Sequence, residues 1–386
     1  MFECKFIFSQ PTPIRQFAIN EPSNLSLLSL SMSQPKVLLV GSGGVGAIAA
    51  LALTSNGKAE TTLVVRSDYD KVINEGYTIR SATYGNLDSW RPTHVSKSVE
   101  DAVKLNGPFD YVVVTTKNIP DGPQPCEDII LPAVVPGRTT IVLIQNGINI
   151  EIPMIRRFPT NHVLSGISLI GSTNIKCVVH NPGKDSILLS PFHNPNVDYE
   201  KSKEKTQEFA SMYQNPDESV NKITIEDDAV GSRWQKLVYN SVFNTICAIT
   251  DLDVNRCQIN GANKTLFEPA MDEVIAIAAS EGVTIDPRTK HRFMHIGDGF
   301  FYTPSMLVDA RKKQIFEIET ILGNPLAIAK KNGVPTPILT SVYYLLKMRQ
   351  FYIMEETGKI KIHEEDYKGR DSDDYPKIFA ESGASN

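Results

Sequence analysis

Val37-Leu-Leu-Val-Gly-Ser-Gly-Gly-Val-Gly46, continued by Ala47-Ile-Ala-Ala-Leu-Ala-Leu53, decides the fold. A short apolar run stopped by glycine reads as a buried strand, and the small-residue run after the turn reads as a helix. Between them, Gly41-Ser42-Gly43-Gly44-Val45-Gly46 has the spacing G-x-G-x-x-G. The first glycine permits a tight turn, the second lets backbone approach a pyrophosphate, and the third lets helix and strand pack closely. The helix N-terminus then offers amide donors to the anion. Such a glycine pattern alone is a weak signal; a strand before it and a helix after it supply the context that makes Gly41, Ser42, Gly43, Gly44, Val45 and Gly46 a dinucleotide-binding turn.

Outward from this turn, β-rich runs at 36–40, 62–65, 111–115, 140–144 and 163–167 alternate with helical or loop stretches, which predicts a parallel sheet. Residues 176–190 hold two β-like runs around Asn181-Pro-Gly183 and read as a hairpin closing the sheet domain. A polar connection with one helix fills 194–228. Beyond Ala229, periodic segments at 229–249, 263–281, 304–331 and 337–354 predict a helical domain. The expected fold is α/β: an N-terminal Rossmann-type doubly wound parallel sheet over 32–228, followed by an all-helical C-terminal domain over 229–363. Residues 1–31, rich in Ser, Leu, Asn and Pro and without periodicity, and the polar stretch 364–386 are expected to be disordered.

With 386 residues, 41% hydrophobic and 22% charged, the chain has globular composition and length for two domains. A formal net charge of -5 gives no basic footprint for nucleic acid, and no run of eighteen apolar residues marks a membrane span. A small-molecule partner is therefore expected. The five cysteines, Cys4, Cys126, Cys177, Cys247 and Cys257, are scattered and lack C-x-x-C spacing, which points to a reducing compartment such as the cytoplasm. A mitochondrial presequence is the alternative, with Glu3 and Glu21 set against Lys5 and Arg15. His291 and His295 share a helix face but lack the acid of H-E-x-x-H and a third ligand, so no metal is expected.

The second β-run ends at Arg66, where an arginine suits a 2′-phosphate and so favours NADPH over NADH, with Asp68 keeping NAD open. Lys117 and Asn146 each follow a parallel strand at its carboxyl end, the edge where open sheets of this kind bind ligands. In Trp234-Gln-Lys-Leu-Val-Tyr-Asn-Ser-Val-Phe-Asn244, the polar Lys236, Asn240 and Asn244 recur every four residues through apolar surroundings. At that spacing they project from nearly one helix face, and a buried polar stripe demands partners. Lys236 is the natural proton donor for a ketone reductase, burial lowering its pKa toward the working range. Further on, Thr303 reads as an N-cap with Pro304 at the first helical position, placing Ser305 where a carboxylate could sit. Glu317, between Phe316 and Ile318, needs a partner that Lys236 or a substrate hydroxyl could provide.

These stretches, with Thr116-Lys117, Gln145-Asn-Gly147, Ser305-Met-Leu and Phe316-Glu-Ile-Glu-Thr320, resemble the ketopantoate reductase (2-dehydropantoate 2-reductase) family over roughly residues 36–350. The resemblance implies NADPH/NADP+ as cofactor and reduction of a 2-oxo acid or ketone on the way to pantothenate and coenzyme A. It implies Lys236 as general acid, Asn240 and Asn244 as substrate amides, Ser305 near the substrate carboxylate, and Glu317 contacting substrate and lysine. Arg66, Lys117 and Asn146 match cofactor contacts, and a homodimer stays open. An inserted loop, Ile119-Pro-Asp-Gly-Pro-Gln-Pro-Cys-Glu127, departs from the family pattern where it could reshape the cleft.

Overall fold

The computed structural model describes residues 34–375. The twelve strands are β1 (Lys36–Val40), β2 (Glu60–Val64), β3 (Tyr77–Ser81), β4 (Gly85–Trp90), β5 (His94–Ser96), β6 (Tyr111–Val114), β7 (Thr140–Ile144), β8 (Val163–Ser168), β9 (Thr173–Ile175), β10 (Val178–Asn181), β11 (Asp185–Phe192) and β12 (Asn221–Ile225). Eight form the main sheet in the order β12-β11-β8-β7-β6-β1-β2-β5. From β8 to β5 every pairing is parallel, and β11 returns antiparallel to β8. The order reverses between β1 and β6, and their carboxyl ends make the crevice where doubly wound sheets take ligands. Apolar β6 and β7 are buried along their whole length, as helix-covered central strands must be.

The expected hairpin at 176–190 does not form. β10 joins a separate four-stranded sheet, β4-β3-β10-β9, while β11 enters the main one. The true reversal lies one step earlier, between antiparallel β9 and β10, where Lys176 and Cys177 take positive φ of 49° and 69°. Asn181-Pro-Gly183 breaks the chain between sheets instead of folding it back. Two positive-φ residues that are neither Gly nor Asn give no hairpin signal in sequence.

Beyond Ala229 the chain is helical. Helix Ala229–Tyr239, a π-helical turn Asn240–Asn244 and helix Thr245–Thr250 form one continuous rod. Its apolar residues Leu237, Val238, Val242, Phe243 and Ile246 pack with Phe267, Met271, Val274, Leu307, Ile321 and Leu346 in a core that also takes in Ile148 from the sheet side.

The expected continuous helix over 304–331 is interrupted. Helix Ser305–Arg311 ends in a left-handed turn: Lys313 has φ 54°, its N–H reaches the Ala310 carbonyl at 3.0 Å, and Gln314 N–H reaches the Asp309 carbonyl at 2.9 Å. That is a Schellman ending with lysine in the position glycine usually fills, so sequence carried no stop signal. Residues 314–317 run non-helically before a π-helical turn Glu319–Gly323 leads into helix Asn324–Asn332. Helix Ser305–Arg311 also starts one residue later than its proline suggested, with Pro304 rather than Thr303 at the N-cap.

Residues 364–375, expected to lack structure, are almost wholly exposed but form two 3-10 turns. The expectations for 1–31 and for 376–386 lie outside the described residues. Among the described residues no helix is long and apolar enough to cross a membrane, and no cluster of His, Cys, Asp or Glu could hold a metal ion.

Candidate functional site

The glycine turn is shaped by three different demands. Gly41 has φ 118°, and a Cβ on it would fall 2.7 Å from the Thr116 nitrogen; Thr115 Oγ1 donates to the Gly41 carbonyl at 2.9 Å, tying the ends of β1 and β6 together. Gly46 is tighter, since a Cβ would fall 1.9 Å from the Gly41 carbonyl oxygen. Gly43, at the N-cap of helix Gly44–Ser55, has nothing within 4 Å of a Cβ. That open space above a helix N-terminus is what a pyrophosphate needs, so the residues present fit a dinucleotide. Gly44 backs onto Ser172, and Asn174 Nδ2 donates to the Ser42 carbonyl at 2.7 Å, so β9 and the residue before it brace the turn. Arg66 stands exposed just beyond β2 and makes no ion pair with a described residue.

At the next strand ends the polar stripe finds its partners. Lys236 Nζ donates to Asn146 Oδ1 at 2.8 Å and to the Ser168 carbonyl at 2.5 Å. Asn240 Nδ2 reaches the same Asn146 oxygen at 3.4 Å, and Asn244 Nδ2 reaches Asn240 Oδ1 at 3.2 Å. Asn240 and Asn244 are buried. Four residues overshoot an α-helical turn by about 40°, so an α-helix would rotate the stripe progressively off its face. The π-helical turn beginning at Asn240 is wider and slows that rotation, a common device at functional sites.

Lys236, Asn240 and Asn146 line a small cavity with Gln145, Gly147, Ile167, Arg233 and Leu237. Burial holds the Lys236 ammonium well below its ordinary range, to about 8; the Arg233 charge adds to the effect and Glu317 opposes it. Lys236 as a whole residue is half-buried.

Glu317 lies in the non-helical stretch, buried, with a pKa raised chiefly by burial. Of the partners the sequence offered, Lys236 or a substrate hydroxyl, Lys236 acts on it only through charge; the backbone N–H of Asn118 donates to Oε1 at 3.0 Å, and the Asn146 side chain hydrogen-bonds to it as well. Lys117 reaches out of the sheet to Asp309 Oδ1 at 2.6 Å and to Gln314 Oε1 at 3.3 Å. Ser305 is exposed at the start of a helix that packs on Thr245–Thr250, and it makes no hydrogen bond to the Lys236 cluster.

The structure thus gathers Lys236, Asn146, Asn240 and Asn244 directly, and joins Glu317 to them through the Asn146 side chain. Arg66 and Ser305 stand apart. Sequence reasoning missed Ser168, whose carbonyl shares the ammonium, and Asp309, which engages Lys117. It also passed over Arg233, although a second cation one turn before Lys236 in an apolar run was the available signal. Chemically, the cluster presents an easily deprotonated ammonium and two fixed carboxamides to one small space, a setting for polarising and protonating a carbonyl oxygen.

Comparison with known proteins fits this geometry. Residues 37–194 match the family described as "Ketopantoate reductase PanE/ApbA" and residues 228–350 its C-terminal part. An uncharacterized protein of Saccharomyces cerevisiae is 42% identical over 85% of this chain and 97% of its own. A 2-dehydropantoate 2-reductase of Nostoc sp. is 25% identical over 82% of this chain and 95% of its own. The crystal structure of 2-dehydropantoate 2-reductase from Methylococcus capsulatus superimposes with a TM-score of 0.68 at 28% identity, covering 82% of this chain and 97% of that one. The chain belongs to the ketopantoate reductase family of NADPH-dependent oxidoreductases, which act on the ketone group of 2-oxo acids.

Proposed function

We propose that this chain reduces 2-dehydropantoate to pantoate with NADPH, a step toward pantothenate and coenzyme A. The observation that carries the reading is the Lys236 ammonium, buried beside Asn146 at the carboxyl edge of the sheet and held near pKa 8. A donor with that pKa is charged at neutral pH yet gives up its proton readily. Bound NADPH would supply the hydride. The Gly41–Gly46 turn would hold its pyrophosphate, Arg66 its 2′-phosphate, and Lys117 and Asn146 the groups that follow. Lys236 protonates the ketone oxygen while Asn240 and Asn244 orient the substrate's polar groups. Glu317 accepts from a substrate hydroxyl and balances the Lys236 charge, and Ser305 meets the substrate carboxylate.

A second reading keeps this chemistry and changes the ketone. It is favoured by the inserted loop at 119–127, which starts next to Asn118 and Glu317 and is pinned by Asp121 to Lys347 at 3.0 Å. Such a loop adds surface at the edge of the substrate space. NADPH oxidation followed by absorbance, with 2-dehydropantoate beside a panel of other 2-oxo acids and bulkier ketones, separates the readings. Preference for 2-dehydropantoate supports the first; turnover of other ketones alone supports the second. Tight NADPH binding with no turnover of any ketone refutes both and leaves a cofactor-sensing protein.

A further inference from the structure

Beneath the cavity lies a charged cluster that the proposed chemistry does not use. Arg233 is only 4% exposed, and each of its three guanidinium nitrogens donates: Nε to Glu151 Oε1 at 2.5 Å and Ser165 Oγ at 2.8 Å, Nη1 to the carbonyls of Gln145 at 2.9 Å and Gly147 at 3.2 Å, and Nη2 to the Gly166 carbonyl at 3.4 Å. Glu151 is wholly buried, and Ser165 Oγ donates to its Oε1 at 2.7 Å. The two carbonyls taken by Nη1 flank Asn146, the residue whose side chain meets Lys236.

We propose that Arg233, anchored by Glu151, is the positioning residue of this site. It clamps the backbone on both sides of Asn146 so that the Asn146 carboxamide stays aimed at the Lys236 ammonium. The inference rests on the reading of Lys236 as proton donor. Stability alone does not account for such a cluster, because replacing a buried ion pair by apolar side chains of like volume is often neutral or stabilising. Its location does account for it. Only a planar fork can hold two carbonyls around one residue while its other edge holds a carboxylate; a lysine offers a single point of charge. Arg233 also lies one helical turn from Lys236 and adds a positive charge to its surroundings, which Glu151 tempers. The remaining charge facing Lys236 is Glu317, from the 314–317 segment, with Lys117 and Asp309 behind it.

The test uses the full chain with Arg233→Lys, Arg233→Gln and Glu151→Gln. Lys236 is titrated by competitive acylation of amines across pH, read by mass spectrometry without substrate; kcat, KM and NADPH affinity are measured alongside. Arg233→Gln removes a like charge and should move the Lys236 titration up by on the order of one pH unit, whereas Glu151→Gln leaves Arg233 uncompensated and should move it down. Arg233→Lys keeps the charge but loses the clamp, so kcat should fall about 100-fold. Opposite shifts are not produced by a merely structural role. If Arg233→Gln does not fold, the downward shift in Glu151→Gln and the kcat loss in Arg233→Lys decide the matter. An unmoved Lys236 in Glu151→Gln, or full kcat in Arg233→Lys, overturns the proposal. Should wild type reduce none of the ketones offered, the labelling titration still tests the cluster, separating failure of this inference from failure of the assigned reaction.

Discussion

Two glycines of the same turn should both lose NADPH on substitution by alanine, but only one should lose stability. At Gly46 the new Cβ would sit 1.9 Å from the Gly41 carbonyl oxygen and 2.6 Å from Thr115 Oγ1. Ordinary contact requires the strand end and helix to part by roughly 1.5 Å. Overpacking of this kind costs about 1–3 kcal/mol, so Gly46→Ala should unfold at clearly lower denaturant and also bind NADPH poorly. At Gly43 the Cβ meets nothing within 4 Å, and φ of -67° with ψ of -171° suits any residue. Reduced freedom of the unfolded chain favours alanine by about 0.4–1 kcal/mol, while alanine is a poorer N-cap than glycine by a comparable amount. The two nearly cancel, so Gly43→Ala should match wild type in denaturant unfolding to within about 1 kcal/mol. Its NADPH affinity should nevertheless fall at least tenfold, because the space filled is the space assigned to the pyrophosphate. Urea unfolding and fluorescence titration with NADPH read the two quantities separately. A Gly43→Ala protein that binds NADPH like wild type would refute the placement of the cofactor against this turn.

Further outcomes are expected. Lys236→Met should lower kcat by about 100- to 10,000-fold while NADPH affinity persists, checked by steady-state kinetics beside equilibrium binding. Because Lys236 is held near pKa 8 and must carry its proton to donate it, kcat/KM should be level below pH 8 and fall about tenfold per unit above it. Glu317→Gln, which removes the charge that raises this pKa, should move that limb to lower pH. The same depressed pKa means the folded chain binds fewer protons than the unfolded one between pH 8 and about 10.4, so this group's contribution to stability rises with pH across that window, as unfolding at several pH values would show. Arg66→Ala should weaken NADPH about 10- to 100-fold and leave NADH little changed, since Arg66 has no other partner among the described residues; equal loss for both dinucleotides in paired titrations would remove it from the 2′-phosphate.

The main sheet was legible because its strands are continuously apolar and its glycine turn has a fixed chemistry. The second sheet was not: β4 reads Gly-Asn-Leu-Asp-Ser-Trp, with no buried residue and no run of β-formers. The polar stripe was visible as a period, but its partners came from strand ends far away in sequence, and backbone groups such as the Ser168 carbonyl leave no mark on residue identity. Glu317 was found for a reason the structure revises. Its apolar neighbours suggested burial in a helix, whereas it is buried in a non-helical stretch created by the Lys313 turn and satisfied by the Asn118 main-chain amide and the Asn146 side chain. The ion pair of Arg233 with Glu151 spans 82 positions, and neither residue alone distinguishes itself from a solvated charge.

Where sheet and helices meet, Ile148 N–H donates to the Thr320 carbonyl at 3.1 Å and Asn324 Nδ2 donates to the Ile148 carbonyl at 2.8 Å. Gly147, with φ 96°, leaves 2.5 Å between a notional Cβ and the Thr320 side chain. Chimeras that exchange the helical half between relatives to transfer substrate preference must therefore carry 147–148 and 320–324 as a matched set, and a graft of 119–127 must bring Lys347 with Asp121 and keep the seat of buried Cys126 against Thr116 and Gln145.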